Sequence, residues 1–199
     1  FIFNNALRAN FNKKYLNINT LHSWIYGENP VRKTNNDFIS SLDADLFKNK
    51  HRLYYWVLAS WEKSFSLKLD HRFQTGAGAG YKIINQKKAS LVLTDGLLYE
   101  TSQLTDPDQY GRLNYQTLRN SFRIKHKFLV ADLINIDGTH FLQNSLSDKT
   151  DYIIRSHTTI SFKLNKWLSL STTMVYNKLN LTKKENYLFS YGLMVEKNL

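Results

Sequence analysis

RFQTGAGAGYKIINQKK, residues 72–88, alternates glycine with alanine and then runs into Tyr-Lys-Ile-Ile. A dinucleotide fingerprint needs G-x-G-x-x-G between a strand and a helix, and here Tyr81 stands where its third glycine belongs. No Gly-Lys-Ser/Thr follows, so the stretch is no P-loop either. A flexible linker would carry serine with its glycines, and this one does not. Strict alternation has a third meaning. In a strand, side chains two apart share a face. One face then carries Gly76, Gly78 and Gly80, together with Asp70 and Arg72. The other carries His71, Phe73, Thr75, Ala77, Ala79, Tyr81 and Ile83. A strand with one bare face suits a curved wall, or an interior that another group must approach closely.

The rest of the chain supports strands throughout. Basic clusters recur at Asn12-Lys13-Lys14, Lys48-Asn49-Lys50, Asn85-Gln86-Lys87-Lys88, Lys125-His126-Lys127 and Asn165-Lys166. Centred on residues 13, 49, 87, 126 and 165, they are spaced by 36, 38, 39 and 39 residues. A regular period implies repeated supersecondary units. Each cluster is flanked by alternating segments rich in Tyr, Phe, Ile, Leu and Thr, the pattern of strands. The clusters read as short turns. Residues 27–35, 102–111 and 138–150 read as longer connections at the opposite end, with shorter ones at 61–66 and 178–185.

The faces are chemically distinct. Over residues 152–164, Ile154, Ser156, Thr158, Ile160, Phe162 and Leu164 oppose Arg155, His157, Thr159, Ser161 and Lys163. Over residues 38–47, Phe38, Leu42, Ala44 and Leu46 oppose Asp43 and Asp45. In the last run, Tyr187, Phe189, Tyr191, Leu193 and Val195 oppose Ser190, Gly192 and Glu196. Aromatics crowd the strand ends: Phe11, Tyr15, Phe47 and Trp167 beside the basic turns, with Trp24, Tyr26, Trp61, Tyr99, Tyr110, Tyr152, Tyr176 and Tyr187 at the other end. Two girdles around an apolar band, with a charged face behind it, predict a membrane β-barrel with a polar lumen. Residues 113–124 do not alternate cleanly above Thr117, and a bulge there would explain the break.

Composition sets outer limits. The 199 residues contain no cysteine, so neither disulfides nor thiolate metal sites arise. The net charge of +11 suits anionic partners. Lysine at a membrane face meets lipid or lipopolysaccharide phosphates. The six histidines form no i,i+2 or i,i+4 pairs, so no metal site and no cofactor are expected.

With Arg72, Gly76, Gly78, Gly80 and Tyr81 followed by Gly96, Tyr99 and Glu100, the sequence resembles the DUF481 family, described as salt-induced outer-membrane proteins of bacteria. The likeness runs loosely along the whole chain. A departure is the C-terminus, which is Leu199 where such barrels usually end on an aromatic. The resemblance implies an antiparallel outer-membrane barrel in a Gram-negative envelope and supplies no catalytic site.

The expectation is therefore one all-β domain over residues 1–199, an antiparallel transmembrane barrel in the bacterial outer membrane. Its partners would be the bilayer, lipopolysaccharide and other envelope proteins, with no nucleic acid. Eleven strands are visible, and since such barrels begin and end in the periplasm, a twelfth is expected before Phe1. Asp43, Asp45, Asp70, Arg72, Arg155, His157 and Lys163 would point inward, and their mixed signs suggest pairing that plugs the lumen. The function expected is non-enzymatic: a plugged or narrow barrel serving an envelope complex, or a small pore. Two other readings compete. Folding the 27–35 connection about residue 31 sets His22 opposite Ser40, a candidate dyad for a membrane-embedded lipid hydrolase. A soluble basic β protein could bind nucleic acid, but its lysines sit in turns and loops instead of forming an aromatic-lined groove.

Overall fold

Alternating sequence with few prolines folds as strands wherever neighbours can complete the backbone hydrogen bonds, and here each strand finds its partner next in sequence. A computed structural model describes residues 1–48, 50–165 and 168–195. It contains one antiparallel sheet of eleven strands in sequential order. They are β1 (Ile2–Asn12), β2 (Leu16–Glu28), β3 (Lys33–Leu46), β4 (Leu53–Ser64), β5 (Leu69–Asn85) and β6 (Ala89–Leu104). Then follow β7 (Asn114–Val130), β8 (Ile134–Ser145), β9 (Tyr152–Lys163), β10 (Leu168–Leu179) and β11 (Lys184–Val195), with a 3-10 turn at Asn180–Thr182. No helix among the described residues is long and apolar enough to cross a membrane. The strands run from 11 to 17 residues, enough to cross a bilayer at the tilt of a barrel wall.

The sheet curls until its inner side chains meet. Arg155 on β9 donates to Glu62 on β4, and Gln74 on β5 bonds Gln143 on β8 at 3.0 Å. Among the described residues β1 pairs with β2 and β11 with β10, and the two end strands are not bonded to each other. The fold is that of an antiparallel transmembrane β-barrel. Apolar and aromatic side chains cover the outside: Leu42, Val57, Leu97, Leu118, Leu142 and Leu193 are all exposed. The girdle residues Phe11, Tyr15 and Phe47 stand exposed near the basic turns, as do Trp24, Trp61, Tyr99, Tyr110 and Tyr187 near the opposite end. Trp167, Asn49, Lys166, Glu196 and Leu199 lie outside the described residues.

Three expectations need correction. Lys125-His126-Lys127 is not a turn but lies inside β7. Lysines two apart share one face and the histidine takes the other, which is what a strand does. The chain reverses instead at residues 131–133, where Ala131 (φ 51°) and Asp132 (φ 58°) adopt the left-handed conformation. As a result residues 138–145, read as a loop, belong to β8. The connections at the opposite end are mostly as tight as the basic turns, and length is carried by 105–113 and 146–151. Finally, β7 keeps a single register with both neighbours, so it has no bulge, although its pairing with β6 lapses between Thr94–Arg123 and Leu97–Asn120. The register shifts in the long strands fall elsewhere, between Leu69 and His71 and between Lys82 and Ile84.

Candidate functional site: the layers inside the lumen

At the end away from the basic turns, two short connections fold into the lumen. The β4–β5 connection, residues 65–68, brings in Leu67, and the 3-10 turn brings in Leu181. They pack with Leu69, Leu104, Tyr115, Ile153 and Leu179 as a buried apolar cap. Left-handed Lys68 (φ 60°) and Lys183 (φ 52°) close the two connections. Thr182 Oγ1 donates to the carbonyl of Leu67 at 3.1 Å, joining one connection to the other. Asp37 on β3 holds the first connection by accepting from Ser64 Oγ at 2.8 Å, Ser66 N at 3.0 Å and Ser66 Oγ at 2.7 Å. Leu67 is thus fixed by a carboxylate some thirty residues earlier in the chain, about the separation of a β-hairpin and a half.

Beneath the cap lies an ionic layer. Arg72 donates to Glu62 through Nε at 3.1 Å and also through Nη2, and Arg155 reaches the same oxygen across the lumen. Glu100, fully buried, accepts from Arg119 Nε at 2.7 Å and Nη2 at 3.0 Å, from Tyr115 at 2.7 Å and from Ser102 at 3.0 Å. Arg119 in turn donates to both carboxylate oxygens of Asp151 at 2.9 Å. Gln74 joins Glu100 to Gln143, and Gln143 reaches Ser121 at 3.4 Å. Buried charges survive only when paired and fully bonded, and this layer pairs three arginines with three carboxylates. Nη1 of Arg72 is the one guanidinium nitrogen left buried without a partner among the described residues.

The glycine row stands below. It faces inward, as Arg72 and Gln74 do, and the rings that fill it come from the adjacent strand. Tyr54 and Trp56 on β4 pack against it. A Cβ on Gly80 would stand 2.3 Å from the Tyr54 ring, and one on Gly78 would stand 2.7 Å from Trp56 and 2.2 Å from the carbonyl of Asp95. The bare face therefore lets two aromatic rings and the neighbouring backbone approach the wall. Trp56 Nε1 donates to the carbonyl of Ala79 at 3.3 Å, and the Arg123 guanidinium lies 5.8 Å over its ring. Among the described residues the buried hydroxyl of Tyr54 has no hydrogen-bond partner.

The other residues singled out in the sequence fall as follows. Asp45 is buried, paired with Lys48, and Asp43 accepts from Asn19 at 2.8 Å on the same inner face. His157 is inward and partly buried between β8 and β10. Lys163 lies at the basic-turn mouth of the lumen. Asp70 departs from the expected row. The shift between Leu69 and His71 takes it off the face of Arg72, and it sits 39% exposed against Lys63 at 3.1 Å. An extra residue in one strand reverses the side-chain alternation beyond it.

His22 and Ser40 are directly paired in register, with Nδ1 and Oγ 2.9 Å apart on the exposed outer wall. A second such pair was not foreseen. His140 Nδ1 lies 2.8 Å from Ser156 Oγ, and His140 Nε2 lies 3.0 Å from His126 Nε2, again outside. Gly138 makes room for it, since a Cβ there would meet His126 at 2.5 Å. Reflecting the sequence about the 131–133 turn would have placed His126 beside His140, had that turn been located. The backbone N–H groups around both pairs are committed to the sheet. Among the described residues no group of three metal-binding side chains gathers anywhere.

The family model described as protein of unknown function, DUF481, matches residues 4–195. The chain belongs to the DUF481 family. No curated protein matches it in sequence. Its fold is similar to that of a NanC porin, at a TM-score of 0.60 and 8% identity, over 98% of this chain and 94% of that one. It is also similar to a bacterial polysaccharide outer membrane secretin, at 0.50 and 12% identity, over 98% of this chain and 70% of the other. These likenesses establish for this DUF481 protein the porin-like barrel fold.

Proposed function

We propose that this DUF481 protein resides in the bacterial outer membrane as a barrel closed across its lumen, and that it acts without catalysis as a structural or partner subunit of the envelope. Its outer wall meets phospholipid and lipopolysaccharide. The observation that carries the reading is the ionic layer. Glu62 is held by Arg72 from β5 and by Arg155 from β9, so one carboxylate ties opposite walls together. The apolar cap lies directly over it. An ion would have to displace both layers to pass, and desolvated charge in an apolar constriction is costly.

Single-channel recording in planar bilayers tests this. The wild-type protein is expected to give no large steady conductance. Arg155→Gly combined with Gln143→Gly removes the two polar side chains that bridge the lumen from β8 and β9, and should introduce opening events. Large, stable wild-type conductance would exclude a closed lumen and favour a small pore.

A further inference from the structure

The lumen is closed from one end only. At the basic turns it opens as a cavity of about 500 Å³, lined by Lys87, Lys88, Lys127 and Lys163 with Asp137 among them. Lys88 is paired with Asp132 on the turn at 131–133. Among the described residues Lys87, Lys127 and Lys163 form no ion pair, and neither does Lys125, one step deeper on the inner face of β7. Below them the inner wall adds Lys82, bonded to the carbonyl of Lys48, and Arg123, whose Nε donates to Thr94 at 3.0 Å. The inner carboxylates nearby are Asp43, Asp45 and Asp137. Asp45 is already neutralised by Lys48. Cations therefore outnumber carboxylates along this half of the lumen.

An excess of like charge inside a narrow wall raises the local potential and concentrates counter-ions. The lysines are not simply headgroup anchors. Lys125 and Lys127 share the inward face with the buried Arg119 and Ser121, and the wall separates them from lipid. Inward residues two apart on a strand lie about 6.5–7 Å from one another, so the cations line a track. The track ends at Trp56, over which Arg123 is stacked, and above that the glycine row and ionic layer close the way.

We infer that this blind vestibule binds a soluble, extended anion carrying several phosphate or carboxylate charges, admitted from the basic-turn end. Its depth rests on the closed-lumen reading; its charge does not.

Titration calorimetry of the folded protein in a neutral detergent, with inorganic tripolyphosphate as the probe, tests the inference. Saturable binding is expected at about 0.01 M salt, where the screening length is about 30 Å, and weaker binding at about 0.1 M, where it is about 10 Å. Lys127→Gln with Lys163→Gln should weaken binding roughly tenfold or more, as loss of two facing charges does. Lys14→Gln with Lys149→Gln removes the same charge away from the cavity and should leave affinity unchanged. Should the first pair fail to fold, Lys163→Gln alone, at the end of β9, serves with a smaller expected loss. Absence of saturable binding by the wild type, unchanged affinity in the vestibule variants, or equal losses in both pairs would overturn the site. Conductance is a separate readout: an open channel with intact, Lys127-dependent binding would remove the closed-lumen reading and leave this one standing.

Discussion

At the residue scale, the inner wall is fixed by a few side chains with no room to substitute. Gly80 is the sharpest case, because its missing Cβ is replaced by the face of Tyr54. Gly80→Ala is expected to cost about 1–3 kcal/mol, the usual penalty of overpacking. Shrinking the ring with Tyr54→Leu should return part of that loss in the double variant. Denaturant midpoints of the refolded barrel measure both, and strict additivity of the two substitutions would argue against the contact. Glu100 is the corresponding case in the ionic layer. Glu100→Gln leaves Arg119 with only Asp151 as its counter-charge in a buried site, and should destabilise by about 3–5 kcal/mol. The same denaturation series checks it.

At the scale of elements, the loops carry information that the strands do not. Asp108 organises the connection at 105–113. Its carboxylate accepts from the backbone of Tyr110 at 2.8 Å and of Arg112 at 2.9 Å, and from Arg112 Nε at 2.9 Å. Burial alone would raise its pKa, but the Arg112 and Tyr110 N–H groups and the guanidinium more than offset this and hold it below the usual carboxylate range. A depressed carboxylate stabilises the fold above its unfolded pKa, and that contribution is lost as the pH falls through the folded value. Protection of the 105–113 amides, measured by hydrogen exchange and corrected for intrinsic rates, should hold down to about pH 4 and fall below it. Asp108→Asn should show the reduced protection already at neutral pH.

This contrast explains what could be read in advance. Alternation made the strands and their faces legible, as in Arg155, His157 and Lys163 against Ile154 and Ile160. Symmetry about residue 31 paired His22 with Ser40, as the register has them. Two features were hidden, the first because it depends on atoms far apart in sequence. Nothing near Leu67 or Leu181 announces that they turn inward, since each stands in a short connection and the cap exists only when the two meet. The bulge beside Asp70 was hidden for another reason: one extra residue leaves composition unchanged and only shifts phase. Lys125-His126-Lys127 misled because lysines in a turn and lysines lining a lumen look alike in sequence.

At the scale of the whole molecule, the barrel sorts the three tryptophans among its described residues by environment. Trp24 and Trp61 are exposed on the outer wall, while Trp56 is 5% exposed inside. In single-tryptophan variants, with the others replaced by phenylalanine, brominated lipid should quench Trp61 and leave Trp56 nearly untouched. Equal quenching of both would contradict the assignment of faces. The same sorting accounts for a chain rich in charge that is nonetheless apolar where it meets lipid.

The nearest-neighbour order of the sheet governs how such a wall can assemble. Each strand pairs with the one just made, so every hairpin closes a short loop and adds little to the entropy of search. The bridges from Glu62 to Arg155 and from Gln74 to Gln143 span 93 and 69 residues. The first can form only after the six strands β4 to β9 have aligned into a curved surface, the second after the four strands β5 to β8. The sheet can therefore grow as a zipper from local steps, whereas the side-chain bridges across its bore form late. A chain stalled before that step would keep its Arg72–Glu62 and Arg119–Glu100 pairs but leave Arg155 without its carboxylate in a water-filled trough.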